Sequence, residues 1–135
     1  MEENDVIEIV KEFIATKFPK ECECCGRRYD SFADFLHNTF HLGKPMSYDA
    51  ESGDWQPVEP LGTLSMATCS CGTTLAISSS GMNVKTLWRL MKWAKTETEE
   101  RGISPGELLN TLRSRTDESV LRDEATRETE RKQPD

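Results

Sequence analysis

The sequence lacks any long hydrophobic run and contains only two histidines. Positive charge is also scarce, because acidic residues outnumber basic ones. No apolar stretch approaches the roughly 18 residues of a membrane-spanning helix, so no membrane association is predicted. The acidic segment 1–5 lacks the basic and apolar regions of a signal peptide, which predicts a cytoplasmic protein. The net charge of −7 argues against nucleic acid as a partner, because nucleic-acid binders usually carry a basic surface.

Motifs of several common enzyme classes are also missing. The sequence contains no Gly-x-Ser-x-Gly elbow and no phosphate-binding loop of the Gly-x-x-x-x-Gly-Lys-Ser/Thr type. Residues 37–41 read His-Asn-Thr-Phe-His, so no carboxylate stands where a His-Glu-x-x-His metalloprotease needs its base. We therefore predict that the chain is not an enzyme.

Cysteine, by contrast, is plentiful, and the five cysteines fall into two short clusters that each end in glycine. The first cluster spans residues 22–26 and reads Cys-Glu-Cys-Cys-Gly, and the second spans residues 69–72 and reads Cys-Ser-Cys-Gly. In a reducing compartment such cysteines are more often metal ligands or redox groups than disulfides. Four thiolates satisfy the tetrahedral preference of zinc, and glycine lets the chain turn back under the metal. We predict one structural zinc ion per chain, held by Cys22, Cys25, Cys69 and Cys71.

Each of these two clusters predicts a tight cysteine turn, which we call a knuckle. The two knuckles resemble the zinc-ribbon class of small metal-binding domains. The resemblance covers the four cysteines and the predicted hairpin around Cys69 and Cys71. It implies a small domain folded around a structural zinc ion. The sequence departs from the class in the single residue between Cys69 and Cys71, and in a predicted helix directly after the first knuckle.

Alternative ligands and metals stay open at this stage. Cys24 could pair with Cys22, which would repeat the one-residue spacing of the second cluster. His37 and His41 are four residues apart on a predicted helix, so either could replace a cysteine or both could form a separate site. Four thiolates also suit a single iron or a [2Fe-2S] cluster, which would favour a redox sensor.

Hydrophobic periodicity predicts an α+β fold with a single domain over residues 1–115. The predicted order is an N-terminal helix, a metal knuckle, a short helix, a small antiparallel sheet with the second knuckle in a hairpin, and two C-terminal helices. The predicted segments are helices over 4–17, 30–41 and 83–102 and from 104 onward, a hairpin of 63–68 with 73–78, and a second short hairpin around 51–54. Residues 116–135 are rich in charge and poor in apolar side chains, which predicts a mobile tail.

The helix that begins after Asn83 carries the predicted interaction surface. Its periodicity places Trp88 on the apolar stripe and Trp93 off it, beside Arg89 and Lys92. Arg89 and Lys92, together with Lys85 and Lys95, make this face positive in an acidic protein, which favours an acidic protein as partner. The competing interpretation is a core tryptophan beside an ordinary solvated basic face. We predict a zinc-binding adaptor or regulatory protein, with a redox sensor and a nucleic-acid-binding zinc domain as alternatives and homo-oligomer formation left open.

Overall fold

The structure, a computed structural model, describes residues 1–41, 48–55 and 61–132. Over these residues the fold is α+β, as predicted, with two separate antiparallel sheets of two strands each. The elements in chain order are α1 (Glu3–Ala15), β1 (Lys20–Glu21), β2 (Arg28–Tyr29), α2 (Phe32–Asn38), α3 (Tyr48–Glu51), β3 (Thr63–Thr68), β4 (Thr74–Ser78), α4 (Val84–Arg101) and α5 (Pro105–Lys132). None of the described helices combines the length and the apolar character that crossing a membrane requires.

The long helices begin where local capping signals predict them. The Asn83 side chain accepts a hydrogen bond from the Lys85 N–H at 2.9 Å and caps the start of α4. The Ser104 hydroxyl accepts one from the Glu107 N–H at 3.2 Å and does the same for α5. Gly102, in a left-handed conformation with φ of 63°, ends α4. These predicted boundaries are confirmed because each depends on a few neighbouring residues.

The predicted hairpin of β3 and β4 is also confirmed. Its ladder runs from Thr63 opposite Ser78 to Thr68 opposite Thr74, with an irregularity between residues 63 and 65. Leu64 and Ala67 on one strand and Leu75 and Ile77 on the other are buried against the core. The residues between the strands, 69–73, therefore form the connection that carries the second pair of cysteines.

Helix α2 is shorter than predicted and ends at Asn38 rather than near His41. The Phe40 N–H donates to the Thr68 oxygen at 2.8 Å, and the Thr68 N–H donates to the Phe40 oxygen at 2.7 Å. This bridge holds the chain extended beside β3, so His37 and His41 do not share a helix face as predicted.

The short hairpin predicted around residues 51–54 is wrong. Residues 48–51 form the helical turn α3, and the Gly53 N–H donates to the Ala50 oxygen at 3.1 Å. Gly53 has a φ of 89°, so the turn signal seen in the sequence closes a helical turn instead of joining two strands. Ala50 and Trp55 are buried and attach this segment to the core.

Helix α5 contacts each of the other four helices that the structure describes. Leu108, Leu109 and Leu112 bury its first half, and the buried side chain of Arg113 donates from Nε to the Thr63 oxygen at 2.9 Å. The Arg113 guanidinium also forms an ion pair with Glu51 at 3.2 Å. The helix therefore joins α3 to the base of the β3–β4 hairpin.

The same helix continues without a break beyond residue 115. Thr116 is buried, and Lys11 on α1 donates to the Ser119 hydroxyl at 2.9 Å and pairs with Asp123. Farther along, His37 Nε2 lies 3.1 Å from a carboxylate oxygen of Glu124. The domain boundary after residue 115 and the mobility of the segment beyond it stay predictions.

The two tryptophans of α4 are exchanged relative to the prediction. Trp88 is 55% exposed, whereas Trp93 is 6% exposed and belongs to the core. Both flank the buried stripe that contains Leu87, Leu90 and Ala94, one on each side. The flank of α4 that carries Trp93 packs against the rest of the protein, and the flank that carries Trp88 faces solvent. Helical periodicity identifies the apolar stripe but does not determine which of its two flanks is buried.

Candidate metal centre

Two hairpins bring the four predicted cysteines together. The Sγ atoms of Cys22, Cys25, Cys69 and Cys71 all lie within 4.8 Å of one another. The shortest distances join the two knuckles, with Cys22 to Cys71 and Cys25 to Cys69 both at 3.6 Å. Tetrahedral metal–sulfur bonds of about 2.3 Å place sulfurs about 3.8 Å apart. The cluster therefore has the size of a site for one tetrahedral metal ion.

The first knuckle connects β1 to β2, whose strands pair Lys20 with Tyr29 and Glu21 with Arg28. Beyond this pairing, the Cys22 N–H donates to the Arg27 oxygen at 2.9 Å, and the Gly26 N–H donates to the Cys22 oxygen at 2.8 Å. Gly26 has a φ of 76°, a conformation that side chains disfavour, so the turn requires glycine.

The second knuckle closes in the same way at the tip of β3 and β4. The Cys69 N–H donates to the Thr73 oxygen at 2.8 Å, and the Gly72 N–H donates to the Cys69 oxygen at 2.8 Å. Gly72 has a φ of 95°. In both knuckles a left-handed glycine bonds back to the first cysteine, which explains why the Cys-Gly pairs pointed to the cysteines that cluster.

Each knuckle contributes one buried and one exposed thiol. Cys22 and Cys69 are each 1% exposed, whereas Cys25 and Cys71 are exposed. The buried hydroxyl of Tyr29 donates to Cys69 Sγ at 3.1 Å, and its ring packs edge-on against Phe35. Tyr29 was not predicted as part of the site, and the available signal was an aromatic residue three positions after Gly26.

Hydrogen bonds to sulfur favour thiolates in the second knuckle. The Cys71 backbone N–H, followed by the Tyr29 hydroxyl, lowers the pKa of Cys69 to about 6. The Thr73 hydroxyl, 3.2 Å from Cys71 Sγ, and the Thr73 backbone N–H lower the pKa of Cys71. Burial raises the pKa of Tyr29 to about 12, so the hydroxyl keeps the proton that it donates.

The first knuckle differs in this respect. The Arg27 backbone N–H acts to lower the pKa of Cys25, but desolvation and the other three thiols outweigh it and raise that pKa. Neighbouring thiolates oppose one another because their charges are alike. A cation bound among the four sulfurs would offset this repulsion and favour full ionisation, and thiolate is the form that binds metal.

The alternative ligands lie outside this cluster. Cys24 is exposed and is not among the four clustered sulfurs, which decides the choice between Cys24 and Cys25. His37 pairs with Glu124, and His41 Nε2 lies 3.3 Å from the Leu36 oxygen. In the part of the chain that the structure describes, the four cysteines are the one group of candidate ligands close enough to share an ion.

Comparisons of the chain with protein-family models, with curated proteins and with solved structures found no match. The resemblance to zinc ribbons therefore stays at the level of the cysteine motifs. What the geometry supports is a small α+β protein with a four-cysteine cluster that could hold a metal ion.

The basic residues predicted as an interaction surface are solvent-exposed. Lys85, Arg89 and Lys92 all project from α4 into solvent. Trp93, which was predicted to lie among them on the surface, is buried, and Trp88 takes its place beside Arg89. The three basic residues of the predicted surface are therefore accessible to a partner. The aromatic residue beside them is Trp88 and not, as predicted, Trp93.

Proposed function

We propose that this chain is a small zinc-binding adaptor or regulatory protein whose metal is structural and whose helices bind another protein. The observation that carries the proposal is the set of four cysteine sulfurs within 4.8 Å of one another. Four protein ligands fill the coordination of a tetrahedral ion, whereas catalytic zinc sites usually keep one position for water or substrate.

A structural role also follows from where the cluster lies. The first knuckle stands between strands of only two residues each, which contribute little backbone pairing of their own. A metal bound by both knuckles would connect residues that are more than 40 positions apart. Because the site does not persist in an unfolded chain, the free energy of metal binding would add to that of folding.

The size of the cluster favours one ion over a two-iron centre. In a [2Fe-2S] cluster each iron binds its own pair of cysteines, and the bridging sulfides separate the two pairs. Here no two pairs of sulfurs are set apart, because all four Sγ atoms lie within 4.8 Å of one another, as expected around one centre. A single iron would fit the same four thiolates, so the choice of zinc rests on the resemblance of the knuckles to structural zinc sites.

The adaptor role is supported by the exposed side of α4. Trp88 is 55% exposed beside the exposed cations Arg89 and Lys85. Tryptophan and arginine are enriched at protein interfaces and at their energetic centres. The chain as a whole has a net charge of −7, but this surface is basic. It therefore favours a partner that is negatively charged where it contacts α4.

Elemental analysis of the purified native chain tests the metal assignment. We expect one zinc per chain and a colourless protein, and X-ray absorption should show sulfur ligands around the ion. Cys71→Ser should lose the metal, whereas the matched variant Cys24→Ser and the variant His37→Ala should keep it. A visible absorption band with bound iron would favour the redox sensor, and the absence of any sulfur-bound metal would refute the proposal.

A further inference from the structure

We propose that one face of α4 binds an acidic segment of a partner protein that also carries apolar side chains. The α4 face is defined here by Val84, Lys85, Trp88, Arg89 and Lys92. This inference rests on the proposed adaptor function and names the chemistry of its partner.

Apolar groups of the α4 face are unusually exposed. Val84 is 65% exposed and Trp88 is 55% exposed, one helical turn apart. Met1 is 42% exposed and adjoins them, because its sulfur accepts a hydrogen bond from Arg89 at 3.6 Å. Of the four large hydrophobic side chains that are exposed in the described chain, three therefore belong to this region. Clustered exposed apolar groups favour a binding surface.

The charges around these apolar groups are positive. Lys85, Arg89, Lys92 and Lys95 are all exposed along the first three turns of the helix. Within the described chain no ion pair involves any of the four. Carboxylates of a partner could pair with them without displacing an existing contact, and such pairs would steer and orient the partner.

A hollow beside the face offers a further contact. Its volume is about 410 Å³, and it is lined by Met1, Arg89, Lys92, Trp93, Thr96, Glu97 and Glu100. Trp93 is 6% exposed, and its indole Nε1 has no hydrogen-bond partner among the described residues. A buried donor without an acceptor is unfavourable. A neutral acceptor of the partner, such as a backbone carbonyl oxygen, could reach this wall and would not be repelled by Glu97 and Glu100.

The distribution of charge along α4 favours a protein segment over RNA. Glu97, Glu99 and Glu100 follow the basic residues and would repel a phosphate backbone that continued along the helix. A protein segment could place its carboxylates at the basic end only. A second copy of this chain is disfavoured as the occupant because each copy carries a net charge of −7.

A displayed library of random 16-residue peptides, selected on the immobilised full-length native chain, tests the proposal. We expect the recovered peptides to be enriched in Asp and Glu together with Leu, Phe or Trp. A synthetic peptide of the enriched sequence should bind at least tenfold more weakly to Trp88→Ala and to Arg89→Glu. Arg122→Glu, the same charge change on an exposed part of α5, should leave the Kd unchanged. Equal metal content and melting temperature in all variants would show that the fold is intact.

Other outcomes overturn the proposal in distinguishable ways. Recovered peptides whose binding is insensitive to Trp88→Ala and Arg89→Glu would refute the α4 face but preserve the adaptor function. A library that yields no binding peptide would count against both. Tighter binding of a random RNA pool, or a dimer in sedimentation that Trp88→Ala abolishes, would assign the face to RNA or to a second copy and refute the acidic protein segment.

Discussion

The two knuckles close with the same hydrogen bond but differ in what supports them. The second knuckle ends a hairpin of six and five residues, and Phe40 bonds to both backbone groups of Thr68 beside it. The first knuckle ends a hairpin of two residues in each strand. The second therefore has an extensive backbone framework, whereas the first depends on other interactions.

Those other interactions are aromatic. Tyr29, Phe35, Phe32 and Phe18 form consecutive ring contacts with centroid distances between 5.5 and 6.1 Å. Side-chain packing thus supports the first knuckle, while backbone hydrogen bonds support the second. The comparison shows that one four-cysteine cluster can be assembled from two hairpins with very different backbone support, provided that each presents a Cys-Gly turn.

Removal of the metal should affect the two knuckles unequally, and this is the largest effect that we expect. A chelator should lower the free energy of unfolding by several kcal/mol, because metal binding contributes to folding. Hydrogen exchange should show residues 20–29 losing protection well before residues 63–78. Equal loss in both hairpins would refute the difference in support, and unchanged exchange throughout would show that no metal was bound.

Arg113→Met tests the support at the base of the second hairpin. The substitution removes the buried bond to the Thr63 oxygen and the ion pair with the half-buried carboxylate of Glu51. We expect the free energy of unfolding to fall by about 2–4 kcal/mol. Urea denaturation measures it, with Arg122→Met as the exposed control. A loss below 1 kcal/mol would show that the strand ladder alone maintains the hairpin.

The sequence predicts those parts of the molecule that depend on neighbouring residues. Both cysteine turns, the β3–β4 hairpin and the starts of α4 and α5 were predicted correctly, because Cys-Gly pairs and capping side chains act over a few positions. The choice of Cys25 over Cys24 followed from the glycine alone.

What the sequence did not predict involves contacts between distant residues. The end of α2 is set by the pairing of Phe40 with Thr68, and nothing near residue 38 announces a partner 28 positions later. The bond from Tyr29 to Cys69 joins residues 40 positions apart. The burial of Trp93 instead of Trp88 depends on which flank of α4 meets the rest of the protein, which periodicity leaves undetermined.

Asp117 lies on α5, four residues after Arg113, and provides a test that should leave the difference between the two hairpins unchanged. Burial raises the pKa of its carboxyl from 3.8 to about 6. The folded state then binds the proton more tightly than the unfolded state, so stability falls as the pH rises from about 4 to about 6. Asp117→Asn should raise the free energy of unfolding by about 1–2 kcal/mol at pH 7.5.

The gain from Asp117→Asn should disappear below pH 4, where the carboxyl is protonated in both states. Urea denaturation at pH 7.5 and pH 3.5 measures it. A gain of equal size at both pH values would show that the carboxylate charge is not its cause. Hydrogen exchange of the two hairpins should keep its order in this variant, since the substitution touches neither knuckle.

Tyr29→Phe and Thr73→Val compare two hydroxyl groups that contact the sulfurs of the second knuckle, one from the end of the first hairpin and one from the second knuckle itself. Each substitution removes one hydroxyl near one sulfur, at 3.1 Å from Cys69 and at 3.2 Å from Cys71. Because Tyr29 is fully buried, we expect Tyr29→Phe to weaken metal affinity about tenfold and Thr73→Val to weaken it less. Competition with a chromophoric chelator measures both affinities. The reverse order would mean that the contact within the second knuckle matters more for metal affinity than the contact from the first hairpin.

Cys24→Ser should have the smallest effect. Cys24 is exposed and lies outside the cluster, so we expect an unchanged metal content and a free energy of unfolding within about 0.5 kcal/mol of the native value. Cys25→Ser, its neighbour and control, should lose the metal. Loss of metal in Cys24→Ser would mean that the first knuckle can bind through a different pair of sulfurs.

Because each knuckle has one buried and one exposed cysteine, the cluster is accessible to solvent from one side only. Cys22 and Cys69 face the protein interior, and Cys25 and Cys71 face water. An incoming ion would meet the two outer thiols first and then pass inward to the other two. A competing chelator or an oxidant would approach from the same side. Cys22 and Cys69 would therefore be the ligands most protected from competitors, and exchange of a bound ion would begin at Cys25 and Cys71.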